Sequence, residues 1–294
     1  MKPFVKWVGG KTQLLPEIRT KYPKGLGVGI KKYCEPFIGG GAVLFDVISQ
    51  YEFDSILIND INKELMNVYM QIKNNLDLLL EELNILQNEY WNLDIETRKI
   101  YFYKKRELFN NTRLRNSTAI DIKKSALFIF LNKTCFNGLY RVNKSGVFNV
   151  PMGSYKKPII CDEENLSKIH TALQNVTITT GDYRNCLSFI DENTFIYIDP
   201  PYRPISKTAN FTSYTENDFN DDEQIALGDF IDEISQRNAK IILSNSDPKN
   251  HDDEDEFFDD LYNSYNISRI SAKRMINCKG KNRNNVSELL ISNF

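Results

Sequence analysis

Short apolar runs alternate with longer amphipathic stretches over much of the chain. The apolar runs predict buried strands at residues 33–35, 55–58, 176–179, 195–198, 240–244 and 287–292. Apolar positions at helical spacing predict helices at residues 13–21, 63–72 and 222–236, with further helical spacing through Leu76, Leu79, Leu80 and Leu83. Strands that alternate with helices predict an α/β fold built around a largely parallel sheet.

The stretch between the second and third predicted strands has a different character. Its spacing predicts helices at residues 97–110 and 125–132, the first with Tyr101, Phe102, Leu108 and Phe109 as apolar positions. From residue 134 to 158 the chain mixes Arg, Lys, Asn, Gly and aromatic side chains, and the Asn143 to Gly146 segment predicts the turn of a β-hairpin. This mixture suits contacts with phosphates and with the edges of bases.

Composition places the chain among globular proteins, with 41% hydrophobic and 26% charged residues. The longest apolar run, residues 126–131, is far too short to cross a membrane, and the N-terminal residues lack the apolar centre of a signal peptide. Five dispersed cysteines favour reduced thiols, so we expect a cytoplasmic protein, and with only two histidines we expect no metal.

The net charge of −2 hides an uneven distribution. Residues 97–160 carry fourteen Lys and Arg against two acids, a net charge of +12, which leaves the rest of the chain at −14. A basic block inside an acidic protein is typical of a surface that binds a polyanion such as nucleic acid. The alternative is an ordinary solvated surface.

Asp199, Pro200, Pro201 and Tyr202 stand directly after the apolar run 195–198. Proline lacks a donor N–H and has a fixed φ, so the strand ends there and backbone carbonyls next to a carboxylate remain unpaired. Such a corner can accept two hydrogen bonds from an amino group while Tyr202 stacks on a flat ring, which predicts a pocket for a planar, amino-bearing base. The alternative is a strand end followed by a simple proline turn.

A three-glycine turn, Gly39 to Gly41, lies between the first predicted strand and a helix, and Asp60 follows the next strand about 20 residues later. In a βαβ unit this spacing places the acid over the hydroxyl groups of a nucleoside ribose. Capping of the following helix is the alternative role for Asp60. Because Asp60, Asp182 and Asp199 each follow a separate strand, we expect them in one crevice. A nucleoside-bearing cofactor and a planar amino base would then share this crevice, and the reaction that uses both is methyl transfer from S-adenosylmethionine to a nucleobase.

The Gly-Lys-Thr sequence at residues 10–12 is not a phosphate loop, because Val5 occupies the position of the first required glycine.

The ordered motifs resemble those of Dam-type DNA adenine methyltransferases, the D12 class in its α group, over nearly the whole chain. The matching stretches are residues 4–11, 35–41, 59–62, 136–141, 148–158, 199–202 and 208–214. The resemblance implies a Rossmann-like, S-adenosylmethionine-dependent fold with a seven-stranded mixed sheet, a helical and hairpin DNA-binding insert, and methylation of adenine N6 in GATC.

The resemblance also implies roles for individual residues. Asp199, Pro200, Pro201 and Tyr202 are expected to hold a flipped adenine. Cofactor contacts are expected from Trp7, Lys11, Glu35, Phe37, Gly39, Gly41, Asp60, Asp182 and Asp199. DNA contacts are expected from Lys6, Phe136, Asn137, Leu139, Arg141, Asn149, Pro151, Tyr155 and Lys156. One departure stands out, because Ser154 occupies a position where relatives usually carry Arg.

The predicted organisation is a discontinuous catalytic domain, residues 1–64 and 161–294, with a target-recognition domain at residues 65–160. We expect a monomer that acts on double-stranded DNA. Residues 203–214 are predicted to form an active-site loop, and Lys273, Arg274, Lys279, Lys281 and Arg283 to add phosphate contacts. The alternatives are methylation of the cytosine amino group (N4) or of RNA, and a non-catalytic DNA-binding protein on the same scaffold. The biological setting, whether a restriction system, a phage or a housekeeping pathway, is left open by the sequence.

Overall fold

A mixed sheet of seven strands lies at the centre of the computed structural model, which describes residues 1–114, 117–203, 219–273 and 285–294. The strands are β1 (Lys32–Glu35), β2 (Ser55–Asp60), β3 (Val176–Thr180), β4 (Thr194–Ile198), β5 (Lys240–Ser246), β6 (Asn266–Lys273) and β7 (Asn285–Ser292). Their order is β3-β2-β1-β4-β5-β7-β6. The first five strands are parallel, and β7 runs antiparallel to both β5 and β6. The predicted α/β fold with a seven-stranded mixed sheet is confirmed.

Helices fill the connections between the strands. They are α1 (Leu15–Arg19), α2 (Ala42–Val47), α3 (Lys63–Asn74), α4 (Leu76–Trp91), α5 (Ile95–Asn111), α6 (Thr118–Thr134), α7 (Glu163–Leu173), α8 (Asp221–Gln236) and α9 (Phe257–Leu261). None of the helices in the described ranges is long and apolar enough to span a membrane.

The sheet buries apolar side chains on both faces, as a parallel sheet between helices requires. Along β4, Phe195 and Tyr197 belong to one core, and Ile196 and Ile198 belong to the other. The first core contains residues of α2, α3 and α7, and the second contains residues of α8 and α9. All five residues of β4 are buried, which accounts for its continuous apolar sequence.

The connection from β2 to β3 carries α3 to α7 and the hairpin segment. Phe102 of α5, Phe130 of α6 and Phe148 of the hairpin segment belong to the same continuous core as the sheet residues Tyr33 and Phe195. Residues 97–160, called the basic segment below, are therefore packed onto one face of the sheet through apolar side chains. Its division from the catalytic domain at residues 64/65 and 160/161 stays a prediction.

Three features differ from the sequence prediction. Leu108, expected to be buried, is 51% exposed, because α5 turns Phe102 and Phe109 inward instead. Helix α6 begins at Thr118 rather than 125, since its first turns are polar and bury groups such as Lys124. Strand β6 was not predicted, because its Ile267 and Ile270 face opposite cores and so give no one-sided apolar alternation.

The predicted hairpin turn is present but short. Gly146 N–H donates to Asn143 O at 2.8 Å, and Asn143 N–H donates to Val147 O at 2.9 Å. Val142 and Phe148 form a single antiparallel bridge. The active-site loop predicted at residues 203–214 lies outside the described residues, except for Arg203. The basic cluster predicted at residues 273–283 also lies outside them, except for the backbone of Lys273.

The buried Lys124 connects three helices of this segment. Its Nζ donates to Phe109 O at 2.6 Å and to Thr112 O at 2.8 Å, where α5 ends, and lies 3.6 Å from Glu64 Oε1. Burial lowers the pKa of Lys124, and Glu64 opposes that effect. Because the last carbonyls of a helix have no intrahelical donors, the ammonium group supplies partners that buried carbonyls otherwise lack.

Replacing Lys124 by Met should lower the free energy of unfolding by about 1–3 kcal/mol, because two carbonyls lose their donor while the apolar stem is retained. The exposed neighbour Lys123 provides the matched control, and Lys123→Met should change stability by less than about 0.5 kcal/mol. Urea unfolding followed by far-ultraviolet circular dichroism measures both. Equal stabilities for the two variants would show that Lys124 does not hold the end of α5.

Candidate active site

The carboxyl ends of β1, β2 and β4 bring together acids from distant parts of the sequence. Glu35 ends β1, Asp60 ends β2, and Asp199 follows β4 directly. Strand β1 pairs with β2 on one side and with β4 on the other, so the strand order reverses at this point. Ligands of open α/β sheets bind in the crevice at such a reversal.

A buried ion pair joins the N-terminal segment to the end of β4. Lys11 Nζ lies 2.8 Å from Asp199 Oδ1, 3.9 Å from Glu288 Oε2, and donates to Gly9 O at 2.7 Å. The Lys11 side chain is only 2% exposed, whereas Asp199 keeps 21% of its side-chain surface. Lys11 starts a 3₁₀ turn, Lys11–Gln13, and the first strand, β1, comes only after it. A phosphate loop connects a strand to the helix that follows, so the Gly-Lys-Thr sequence does not have that structural context.

Burial sets the protonation of this pair. Loss of hydration raises the pKa of Asp199 to about 6; Lys11 opposes this shift and the Glu288 carboxylate adds to it. Burial alone would lower the pKa of Lys11, but the attraction of Asp199 outweighs it and the pKa is raised. At neutral pH the site therefore contains the Lys11 ammonium beside an ionised Asp199. Lys11 contacts Oδ1 of Asp199, and no donor among the described residues contacts Oδ2.

The carbonyl groups of the two prolines differ in their hydrogen bonding. Gln224, fully buried in α8, donates its side-chain amide to Pro201 O at 3.1 Å, and Asn245 donates in turn to Gln224 Oε1 at 3.1 Å. Among the described residues no group donates to Pro200 O. The Pro200 carbonyl and the Asp199 carboxylate are thus the two neighbouring acceptors with free capacity.

Tyr202 is held at two points. Its hydroxyl donates to Glu288 Oε2 at 2.8 Å, and Lys11 Nζ lies over the ring, 4.8 Å from its centroid. One face of the ring is therefore covered by the ammonium group. The residue as a whole is half-buried.

The glycine turn and Asp60 form a second acceptor group beside the first. Gly39 N–H donates to Asp60 Oδ2 at 3.0 Å, and Asn62 N–H donates to Asp60 Oδ1 at 2.9 Å. Burial raises the pKa of Asp60 and these two donors counteract the rise. The N-cap of α3 is Asn62, whose side chain accepts from Leu65 N–H, so the capping role considered for Asp60 is wrong.

Gly41 has φ +74°, and a Cβ there would meet Tyr69 Oη at 2.6 Å, so this position in the turn requires glycine.

The other expected cofactor residues lie around this crevice in different environments. Glu35 is buried beneath it and accepts a hydrogen bond from Tyr33; burial raises the Glu35 pKa well above its ordinary value. The Phe37 ring packs 5.2 Å from the Tyr183 ring. Asp182 is exposed after β3 and pairs with Arg184 at 3.1 Å.

Trp7 lies between the glycine turn and the basic segment. A Cβ on Gly39 would come within 2.8 Å of Trp7 Cδ1, so the indole ring contacts the turn. On its other side the ring stacks with Tyr140 at 5.7 Å and Phe128 at 6.4 Å. The N-terminal segment thus connects the crevice to the segment expected to read DNA.

The nine expected DNA-contacting residues include three pairs in direct contact. Lys6 Nζ donates to Tyr155 Oη at 3.0 Å, Phe136 N–H donates to Pro151 O at 2.8 Å, and Arg141 Nε donates to Asn149 Oδ1 at 2.9 Å. The remaining three are Asn137, Leu139 and Lys156, of which Asn137 and Lys156 are exposed and Leu139 is half-buried. Asn137, with φ +56°, lies in a short 3₁₀ turn with Gly138.

Two residues that contribute to the site were missed from the sequence. Glu288 is the one charged residue of β7 and stands directly before the apolar residues Leu289 and Leu290. That isolated charge was a usable signal. Gln224 gave none, because a glutamine on an amphipathic helix is unremarkable until its burial is known.

Comparison with known proteins agrees with this geometry. Residues 7–276 match the family described as D12 class N6 adenine-specific DNA methyltransferase. The whole chain is 51% identical to the type II methyltransferase M.MjaIII of Methanocaldococcus jannaschii, covering 99% of that protein. It is 34% identical to M1.LlaDCHI, a type II methyltransferase of Lactococcus lactis subsp. cremoris, covering 96% of that protein. Over 98% of this chain it is 32% identical to the DNA adenine methylase of Haemophilus influenzae, covering 92% of that protein. The chain therefore belongs to the D12 class of N6 adenine-specific DNA methyltransferases.

Proposed function

We propose that the protein transfers a methyl group from S-adenosylmethionine to N6 of an adenine flipped out of double-stranded DNA at GATC. The observation that carries the chemistry is the corner at the end of β4, where Asp199 and Pro200 O offer adjacent free acceptors beside Tyr202. Family membership decides against the cytosine and non-catalytic alternatives. The GATC target rests on the motif resemblance.

The crevice fits the donor in shape and charge. Both Asp60 oxygens already accept one backbone N–H, and each keeps a lone pair for a ribose hydroxyl. Asp199 and Glu288 provide two carboxylates against the single Lys11 ammonium, which favours a cationic sulfonium nearby. When bound, the donor supplies an electrophilic methyl group with a neutral thioether as leaving group, so the proposed reaction uses no metal.

The adenine must leave the duplex to reach this corner. Flipping costs a few kcal/mol, and stacking on the free face of Tyr202 offsets roughly 1–3 kcal/mol of that cost. The exocyclic nitrogen is a weak nucleophile because its lone pair is delocalised into the ring. Hydrogen bonds from the amino group to Asp199 Oδ2 and Pro200 O favour the pyramidal form, in which the lone pair is free to attack the methyl carbon.

The charged groups of the site suit the electron and proton transfers of the proposed reaction. The N–C bond forms as the S–C bond breaks, and the bonding electron pair stays on sulfur. The nitrogen then carries a surplus proton, and Asp199, with its pKa raised to about 6, is suited to accept that proton and return it to solvent. Lys11 keeps Asp199 ionised before the reaction by holding its other oxygen.

We further propose that residues 65–160 recognise the target. The segment includes residues 97–160 with their net charge of +12, which suits the DNA backbone. Arg141 uses only Nε within the described residues, on the side chain of Asn149, and makes no ion pair there. Its two terminal nitrogens remain available as a fork for the O6 and N7 atoms of guanine.

Replacing Asp199 by Ala should lower the rate of methyl transfer by about 10²–10⁴-fold, since it removes both the amino-group acceptor and the proton acceptor. Binding to the duplex should stay close to that of the unmodified protein. The test uses methyl-labelled S-adenosylmethionine with GATC duplexes, followed by nucleoside analysis and fluorescence anisotropy. Asp222→Ala, at an exposed position of α8, is the matched control and should keep full activity. Normal turnover by Asp199→Ala would refute the mechanism.

The rate at saturating substrates should fall as pH decreases through about 6, because protonated Asp199 no longer accepts a hydrogen bond. In Lys11→Met this acid limb should move to higher pH, since the loss of the ammonium removes the interaction that lowers the Asp199 pKa. The control is Lys24→Met, at an exposed position before β1. A limb at the same pH in Lys11→Met and Lys24→Met would mean that another group titrates.

Arg141→Ala should reduce discrimination at one base pair of the site by about 1–3 kcal/mol. Lys156→Ala should instead weaken binding to all duplexes alike and flatten the slope of log affinity against log salt by about one unit. Methylation rates on GATC and single-base variants, with salt titrations, measure both. Arg141→Lys keeps the charge without the fork and should resemble Arg141→Ala in specificity. A uniform rate loss in Arg141→Ala would show that Arg141 does not read a base.

A further inference from the structure

Glu288 is an acid of β7 that reaches the candidate active site from the antiparallel part of the sheet. It pairs with Ser246 on β5 and Ile270 on β6, so β5 lies between its strand and β4. We infer that Glu288 is a positioning residue, which fixes the Tyr202 ring for stacking and adds a second carboxylate beside the Lys11–Asp199 pair. The inference rests on the proposed function, because it assigns Tyr202 to the flipped base.

The contacts of Tyr202 define one ring orientation. Its hydroxyl is bound to Glu288 Oε2 at 2.8 Å, and Lys11 Nζ lies over one face at 4.8 Å from the centroid. Since Lys11 Nζ is also 3.9 Å from the same Glu288 oxygen, a single carboxylate holds both groups that orient the ring. Without it, the hydroxyl loses its acceptor and the ring can turn away from the stacking position.

Glu288 also acts on Asp199 through charge. The groups that face Asp199 are Lys11 from the 3₁₀ turn, Glu288 from β7, Tyr197 from β4, Tyr202 after β4 and Glu35 from β1. Lys11 stabilises the ionised form of Asp199, and Glu288 destabilises it. Removal of the Glu288 charge should therefore make Asp199 more acidic, the direction opposite to that expected when Lys11 is removed.

The position of Glu288 follows from the topology. Strand β7 runs antiparallel to β5, and Glu288 is the first of its residues to pair with β5, opposite Ser246 at the carboxyl end of that strand. This places Glu288 at the edge of the sheet where Asp199 follows β4. The side chain keeps only 19% of its surface and is directed at Tyr202 and Lys11.

The test separates the hydrogen bond from the charge with two variants, Glu288→Gln and Glu288→Leu. Glu288→Gln keeps an acceptor for Tyr202, so stacking should be retained while the acid limb of the rate profile moves to lower pH. Glu288→Leu removes both the acceptor and the charge, and should lower the rate about tenfold or more. Glu233→Leu, at an exposed position of α8, is the control.

A readout independent of methyl transfer follows the base itself. A duplex with 2-aminopurine in place of the target adenine becomes more fluorescent when that base leaves the stack and is quenched again when it packs on an aromatic ring. Glu288→Leu and Tyr202→Phe should change this signal alike, and the double variant should be no worse than either single one, since both remove the same bond.

The outcomes distinguish this inference from the proposed function. If Tyr202→Ala methylates DNA normally, the assignment of Tyr202 to the base is wrong and the proposed function fails. If Tyr202→Ala is impaired but Glu288→Leu keeps the signal, rate and pH profile of the unmodified protein, only the positioning role is refuted. Additive losses in the double variant with Tyr202→Phe would also refute it. Circular dichroism and thermal unfolding of every variant confirm that each one is folded.

Discussion

The ion pair between Lys11 and Asp199 connects the parts of the molecule that the reaction needs. Two buried charges lose hydration, so the pair persists only because other groups, Gly9 O and Glu288, share the ammonium. Asp199 belongs to the reversal point of the sheet, and Lys11 to a segment that lies outside the sheet. Their contact holds the N-terminal segment across the crevice, and this segment lines both proposed pockets.

The same segment continues toward the proposed DNA-reading surface. Four residues before Lys11, Trp7 stacks on Tyr140 and Phe128 and contacts the glycine turn, and Lys6 binds Tyr155. The N-terminal segment therefore contacts residues of the basic segment and also the glycine turn, whose Gly39 N–H donates to Asp60. The proposed cofactor pocket and the proposed DNA-reading surface share this segment.

Much of the fold could be predicted because buried parallel strands have continuous apolar sequences, as in β4. The end of β4 could be predicted from proline chemistry alone, and within the described ranges no group donates to Pro200 O. Strand β6 could not, because its two isoleucines serve opposite cores and its pairing with β7 is non-local. Gln224 and Glu288 also depended on tertiary contacts, since their partners lie 23 and 86 residues away in sequence.

The place of β7 in the sheet has a consequence for how the molecule is assembled during synthesis. Strand β6 pairs with β7, which follows it in the chain, and with no other strand among the described residues. While the ribosome has delivered residues only as far as β6, that strand has no neighbour, and the edge of β5 is open. Tyr202 and Lys11 likewise lack the carboxylate that both contact. The nascent chain therefore passes through a stage with the parallel strands available but the site incomplete, and insertion of one antiparallel strand closes the sheet and the site together.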